Sequence, residues 1–369
     1  MSRVVRFSES DIRFMKAAIN LGLRGRGFTE PNPLVGALVV DRGEILSTGF
    51  HRCFGDVHAE AMALESISRA NTTLYVPLEP CCHTGINPPC TDLIIRKQVK
   101  RVVIALRDPN PRVNGGGIDA LKKSGIRVDQ GCLDTYYANI NRHYFKFITR
   151  KMPYVTLKAG VSLDGKLTDK HHRSRWITDE KLRKIAHSLR GEFSAVLVGG
   201  NTAQEDDPGL NIRERGWGNK KLVRVVLDTH NELDANKKLL KQLRRFPLVL
   251  FSSENARNRT PKTDRHYFIK SRGDALDLKT VLKILARLRI ASVLVEGGGQ
   301  VINSFLEDRL ADELVMFTSS KIIGGRDSVE LCASGVPLSR PIRLIRPEVV
   351  DLDSGRLVRG WIKPPYKGG

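Results

Sequence analysis

Apolar Ile12, Met15, Ile19 and Leu23 recur at spacings of three and four, with Ser8 placed as a cap and Asp11 as a first-turn acid, which predicts a helix over Ser8–Leu23. Two short apolar runs, Leu34–Asp41 and Ile45–Phe50, flank Arg42-Gly43 and predict a hairpin. The pattern then predicts a helix over His58–Arg69, a strand over Thr73–Leu78, a helix over Cys90–Lys97 and a strand over Arg101–Leu106. A helix over Gly115–Ser124 and a strand near Ile126–Asp129 follow. Strand and helix alternate, so the first half reads as an α/β sandwich around a mixed sheet.

The stretch Thr149-Arg150-Lys151-Met152-Pro153 is basic and carries a proline, and a second alternating series begins after it. Strands are predicted near Tyr154–Ala159, Ala195–Gly199, Val223–Asp228, Leu248–Phe251 and Ser292–Glu296, and helices near Asp179–Arg190 and Leu278–Leu288. This places a boundary near residue 150 and two domains, 1–150 and 151–369. The polar stretch Leu233–Lys270 carries little pattern.

Composition narrows the class. With 369 residues, 41% of them hydrophobic, the chain can bury a large core and is neither disordered nor a disulfide miniature. No apolar run approaches the roughly 18 to 20 residues of a membrane span, and Met1–Phe14 lacks a signal-peptide core, so a soluble cytoplasmic protein without membrane partners is expected. The charge is +21, from 61 Lys and Arg against 40 Asp and Glu, and both halves are basic. Such a balance serves any anionic ligand, phosphorylated metabolites and NADP included, and no arginine-rich tail singles out nucleic acid.

Three of the six cysteines, Cys81, Cys82 and Cys90, crowd into ten residues, which in a reducing compartment points to metal or catalysis. His58-Ala59-Glu60 opens one predicted helix, Cys81 follows a predicted strand, and Cys90 opens the next helix. One imidazole and two thiolates close three corners of a zinc tetrahedron and leave the fourth for water, the layout of a catalytic site. The helix start is expected to favour the thiolate at Cys90 most directly. Glu60 is placed to take a proton from the attacking water and pass it to a leaving amine, as in zinc deaminases, without ligating the metal. Alone, each residue has a plain structural reading as helix cap or buried thiol; the combination carries the argument. Cys82, pointing the other way along an extended chain, reads as packing.

In the second half, the buried-strand pattern Ser292–Glu296 runs into Gly297-Gly298-Gly299 and a helical pattern over Gln300–Leu306. Backbone amides at such a turn can approach a phosphate. By itself the signal is weak, since a glycine turn needs no ligand and no full G-x-G-x-x-G is present.

Several longer strings decide between these readings. Pro31-Asn32-Pro33-Leu34-Val35-Gly36, His58-Ala59-Glu60, Leu78-Glu79-Pro80-Cys81-Cys82-His83-Thr84-Gly85 through Pro88-Pro89-Cys90, and Asp108-Pro109-Asn110-Pro111-Arg112-Val113 resemble the deaminase half of the bifunctional riboflavin-biosynthesis deaminase/reductase family. Leu157–Lys166, Ser174–Thr178, Asp206-Asp207-Pro208 and Val295–Gly298 resemble its reductase half, so the likeness covers nearly the whole chain. tRNA adenosine deaminases share the Asn-Pro and His-Ala-Glu strings but place the second thiol three residues after the first, where this chain has Thr84.

The resemblance implies a cytidine-deaminase-like α/β/α sandwich and a dihydrofolate-reductase-like α/β domain. It implies deamination of a diaminopyrimidine ribosyl phosphate with one Zn2+ per chain, held by His58, Cys81 and Cys90 with Glu60 catalytic. NADPH-dependent reduction of the ribosyl group to ribityl follows. Asn32 and His83 would border the pyrimidine; Gly160, Trp176, Thr202, Asp206, Gly298 and Gly299 would contact the dinucleotide. Ser174, Arg190, Leu210, Arg213 and Glu296 would meet the phosphorylated substrate, Arg190 and Arg213 suiting phosphate recognition. Two departures stand out: Ile86 and Asn87 occupy positions where the family usually carries a basic residue and Thr, and His172 replaces a glycine. A homo-oligomer, dimer or tetramer, is expected. The rival is a basic nucleic-acid deaminase with a reductase-like appendage, against which the thiol spacing argues.

Overall fold

The computed structural model describes residues 6–169, 177–214, 216–218, 220–241, 243–325, 327–332, 340–364 and 366. Its contacts group the chain into two units, one running to Lys151 and the other from Met152 to Pro364, with the C-terminal end grouped with the first.

In the first unit the elements are α1 (Glu9–Gly22), β1 (Gly36–Asp41), β2 (Glu44–Phe50), α2 (Ala59–Glu65), β3 (Thr73–Tyr75), α3 (Cys90–Arg96) and β4 (Arg101–Ile104). They continue with α4 (Gly116–Lys123), β5 (Arg127–Gln130), α5 (Asp134–Ile140) and α6 (Arg142–Arg150). The sheet order is β2-β1-β3-β4-β5, antiparallel at the hairpin and parallel across β3, β4 and β5. Ser8 and Asp11 form a full capping box on α1. Asp11 also accepts both arms of Arg101, at 2.7 and 3.1 Å, tying the helix to the sheet.

The predicted hairpin forms, turning at Arg42 and Gly43 with φ of 48° and 87°. Several elements are shorter than the pattern suggests, β3 and α2 most of all. Strand β3 stops at Tyr75, just before Pro77, which has no N–H to donate, and the pairing continues irregularly through Val76, the Pro77 carbonyl and Glu79, with an isolated bridge from Leu78 to Leu106. Helix α2 starts after His58, its N-cap, and ends at Glu65. Helices α5 and α6 carry no counterpart in the sequence reading.

The second unit comprises β6 (Tyr154–Val161), β7 (Lys166–Thr168), α7 (Glu180–Leu189), β8 (Ala195–Gly199), α8 (Gly200–Glu205), β9 (Val223–Leu227), β10 (Leu248–Ser253) and β11 (His266–Ile269). Then come β12 (Ser271–Arg272), β13 (Ala275–Leu276), α9 (Leu278–Arg287), β14 (Ser292–Val295), α10 (Gly299–Glu307), β15 (Glu313–Ser319), β16 (Val329–Glu330), β17 (Ile345–Leu352) and β18 (Gly355–Trp361). The main sheet runs β11-β10-β9-β8-β14-β6-β15-β18-β17. Every neighbouring pair from β11 to β15 is parallel, and β18 and β17 close the edge antiparallel. Parallel strands are covered on both faces, which is why β8, β10 and β14 are buried along their whole length. Their carboxyl ends open the cleft expected of such a sheet. Among the described residues no helix is long and apolar enough to cross a membrane.

A candidate metal centre and a cofactor cleft

Three short segments bring His58, Cys81 and Cys90 together: the N-cap of α2, the turn after Leu78, and the first residue of α3. Their donor atoms lie within 4.8 Å of one another. His58 Nδ1 stands 3.3 Å from Cys90 Sγ and 3.5 Å from Cys81 Sγ. A tetrahedron with zinc–sulfur and zinc–nitrogen bonds of ordinary length has N···S edges of about 3.6 Å, so the donor set fits zinc.

The electrostatics depart from the expectation at Cys90. The amide of Cys90 donates to Cys81 Sγ at 3.3 Å, so the start of α3 serves the neighbouring thiol. The Cys81 thiol is pulled down to about 4, first by its bond with Cys90 and then by His58, while Cys90 is pushed up, first by Cys81 and then by burial. Two touching thiols share one charge, and a divalent cation is what lets both ionise. His58 is raised to about 9, chiefly by its bond with Cys81. Glu60 is buried in the first turn of α2, and burial raises its carboxyl toward the protonated form. Cys82 Sγ is not among the converging donors and lies 3.9 Å from the Arg112 carbonyl, on irregular chain instead of the expected strand end.

In the second unit a cavity of about 1610 Å³ opens where β8, β9 and β14 end. Among its lining are Arg190, Thr202, Asp206, Leu210, Arg213, Glu296, Gly298 and Gly299. Gly160 lies outside the lining, and Ser174, Trp176 and His172 lie outside the described residues. Two neighbouring glycines are held by packing: a Cβ on Gly297 would stand 2.7 Å from Val301, and one on Gly199 2.8 Å from the same side chain. A backbone cradle opposite Thr202, at the start of the nine-residue α10, fits a dinucleotide phosphate.

Arg190 is no solvated helix-end cation. It is 8% exposed, and its fork donates to Glu296 at 2.7 and 3.0 Å and to the Asn211 carbonyl at 3.0 Å. The bidentate capacity expected for phosphate is therefore engaged by Glu296. Burial would raise the Glu296 carboxyl, but Lys158, 3.6 Å away, and Arg190 outweigh it and hold it at about 2. Arg213 is exposed, and its Nε donates to Asn211 Oδ1 at 3.3 Å.

Residues 153–355 match the family model of the RibD C-terminal domain, and residues 8–106 match the cytidine and deoxycytidylate deaminase zinc-binding region. The riboflavin biosynthesis protein RibD of Aquifex aeolicus is 42% identical over 318 residues, covering 86% of this chain and 88% of that one. The chain belongs to the RibD family. RibD of Escherichia coli is 33% identical over 87% of this chain and 90% of its own. Among solved structures, the diaminohydroxyphosphoribosylaminopyrimidine deaminase/5-amino-6-(5-phosphoribosylamino)uracil reductase of Thermotoga maritima is 36% identical, with a TM-score of 0.81 over 95% of this chain and 98% of that one. Acinetobacter baumannii RibD is 31% identical, with a TM-score of 0.87 over 97% and 99%. This RibD chain is thus a bifunctional deaminase and reductase of riboflavin biosynthesis, with a zinc-binding deaminase region and a reductase domain that takes a nicotinamide cofactor.

Neighbours of the two sites to which the sequence reading gives no role are His51, Lys158 and Glu79. His51 is buried, its ring 5.8 Å from that of His58, and its Nε2 pairs with Asn32 Nδ2 at 3.2 Å. Asn32 also closes a turn onto the Thr29 carbonyl at 2.9 Å, as a turn residue between two prolines does. His83 Nδ1 is buried and meets no hydrogen-bond partner among the described residues.

Proposed function

We propose that the first unit releases the 2-amino group of 2,5-diamino-6-ribosylamino-4(3H)-pyrimidinone 5′-phosphate as ammonia, and that the second reduces the ribosyl side chain of the product to ribityl with NADPH. The observation that carries this reading is the convergence of His58, Cys81 and Cys90 beside a buried glutamate that is not among them. These three would hold one zinc per chain, which when bound lowers the pKa of a water and so supplies the nucleophile. Glu60, raised toward protonation by burial, takes the proton of the attacking water and returns it to the departing amine. Asn32, steadied by His51, and His83, with its unpartnered Nδ1, orient the pyrimidine.

In the second unit NADPH supplies the hydride. Thr202, Asp206, Gly298 and Gly299 in the cleft, with Gly160 and Trp176, hold the dinucleotide. Leu210, Arg213, Glu296 and Ser174 meet the substrate. With its fork on Glu296, Arg190 fixes that carboxylate in ionised form, and phosphate recognition falls to the exposed Arg213.

A homo-oligomer, dimer or tetramer, is supported by β17, an edge strand with Val349 and Val350 exposed, which needs cover. Six free cysteines suit a reducing cytoplasm. The test supplies purified zinc-loaded protein with the diaminopyrimidine ribosyl phosphate and follows ammonia with and without NADPH. Ammonia should appear without NADPH and the ribityl product only with it; no ammonia from this substrate overturns the reading.

A further inference from the structure

We propose that Glu79 is a positioning residue for the deaminase: its carboxylate clasps the segment from Asp108 to Ile118 against the turn that carries Cys81, and so fixes one wall of the pyrimidine site. This inference rests on the functional reading above. Glu79 is 3% exposed, and among the described residues no cation pairs with it. A buried carboxylate so placed needs other donors. It finds three backbone amides: Oε2 accepts from Asp108 at 3.2 Å and Gly115 at 3.0 Å, and Oε1 from Ile118 at 3.0 Å.

Helix α4 explains the need. Its N-cap is Gly115, in left-handed conformation at φ 90°, which has no side chain to cap the first amides. Glu79 supplies that cap from another part of the chain. The clasped segment then lies directly on the thiol-bearing turn. A Cβ on Gly117 would stand 2.0 Å from the Pro80 carbonyl oxygen and one on Gly116 2.8 Å from Cys82 Sγ. On its far side Asp108 accepts the Tyr144 hydroxyl at 2.7 Å. One carboxylate, two residues before a metal-site thiol, therefore locks that turn and the opposite loop into one body.

The full-length, zinc-loaded Glu79→Gln variant tests this, because an amide nitrogen cannot accept from a backbone N–H. Zinc content should equal the parent's, and reduction of the already deaminated substrate should be unchanged. The deaminase KM should rise by about tenfold or more with kcat within about threefold, the signature of a displaced wall beside intact chemistry. Simple partial unfolding would lower apparent kcat at constant KM, and an unchanged KM overturns the proposal. If the glutamine variant fails to hold zinc, Glu79→Asp, which keeps two acceptor oxygens on a shorter stem, should raise KM in the same direction by less. Hydrogen exchange needs no activity: the amides of Asp108, Gly115 and Ile118 should be protected in the parent and exchange faster in either variant. Unprotected parent amides also overturn it. A parent that releases no ammonia counts against the substrate assignment, while the exchange experiment still judges the clasp.

Discussion

In the first unit three donors from separate segments meet within 4.8 Å, whereas in the second the groups assigned to cofactor and substrate spread around a cavity of about 1610 Å³. On the proposed reading, the first site concentrates its chemistry in side chains that a metal leaves little freedom to choose, imidazole and thiolate, with one carboxylate kept for proton transfer. The second relies on backbone approach at Gly199 and Gly297 and on a buried ion pair whose members are far apart in sequence. A site that makes its own nucleophile needs dedicated titratable groups; a site whose cofactor brings the hydride needs shape and fixed charge. Substitutions should therefore act abruptly in the first unit and gradually in the second.

The sharpest test of that contrast is Glu60→Gln. It should reduce ammonia release by about 10²- to 10⁴-fold with zinc retained and reduction intact, because the acid moves protons and does not hold the metal. His58, Cys81 or Cys90→Ala should instead lose the zinc, and Cys82→Ser should keep it, since its sulfur faces the Arg112 carbonyl. Metal analysis beside both activity assays separates these outcomes; zinc loss in the Glu60 variant would erase the distinction.

A gentler test concerns the buried pair of the second unit. Glu296 in the folded protein titrates near 2, below its ordinary 4.5. A depressed carboxylate contributes stability that is fully present above about 4.5 and is lost as pH falls toward 2, in all about 3 kcal/mol. Glu296→Gln should be less stable than the parent at neutral pH, because Arg190 stays buried without its partner, yet should lose less on acidification. Thermal unfolding from pH 7 to pH 3 checks this. Parallel curves for parent and variant would mean the pair does not set the acid response.

The same contrast explains what the sequence could reveal. His58, Glu60, Cys81 and Cys90 stood out because few residue types ligate zinc and their spacing is local. Glu79 sits inside the same motif, but its partners are amides 29 to 39 residues away, which no spacing rule exposes. Arg190 was assigned to phosphate by resemblance, yet its pairing with Glu296 spans 106 residues and occupies its fork. Strand β17 went unread because an edge strand is exposed on both faces and tolerates Pro347, and β18, although paired on both sides, is only partly buried along most of its length, so neither alternation nor an apolar run marks them. Strand β11, half-exposed and opening on His266, hid in a polar stretch for the same reason.

The smallest expected effect sharpens the account of the metal unit at its rim. Ile86 is 74% exposed on the loop between the two thiols, at the position where the family resemblance leads to the expectation of a cation, and Asn87 beside it donates to the Asp56 carbonyl at 2.9 Å, so the loop is anchored without one. Restoring charge by Ile86→Lys should lower the deaminase KM and leave kcat nearly unchanged, because a phosphate remote from the reacting carbon is bound alike in ground and transition states. At so exposed a position the gain is that of a screened surface pair, about 0.2 to 1 kcal/mol, or a KM lower by about 1.4- to 5-fold. The competing account gives the role to a cation already present, Arg24 or Arg26. The structure places the Arg24 guanidinium over the Phe50 ring, 4.7 Å from its centroid, a contact that occupies its flat face. Were another cation already serving the phosphate, the added lysine would meet a like charge and KM would hold or rise. Steady-state ammonia release at low and high salt decides, since the gain from a true charge pair fades as salt increases and crowding by a longer side chain does not.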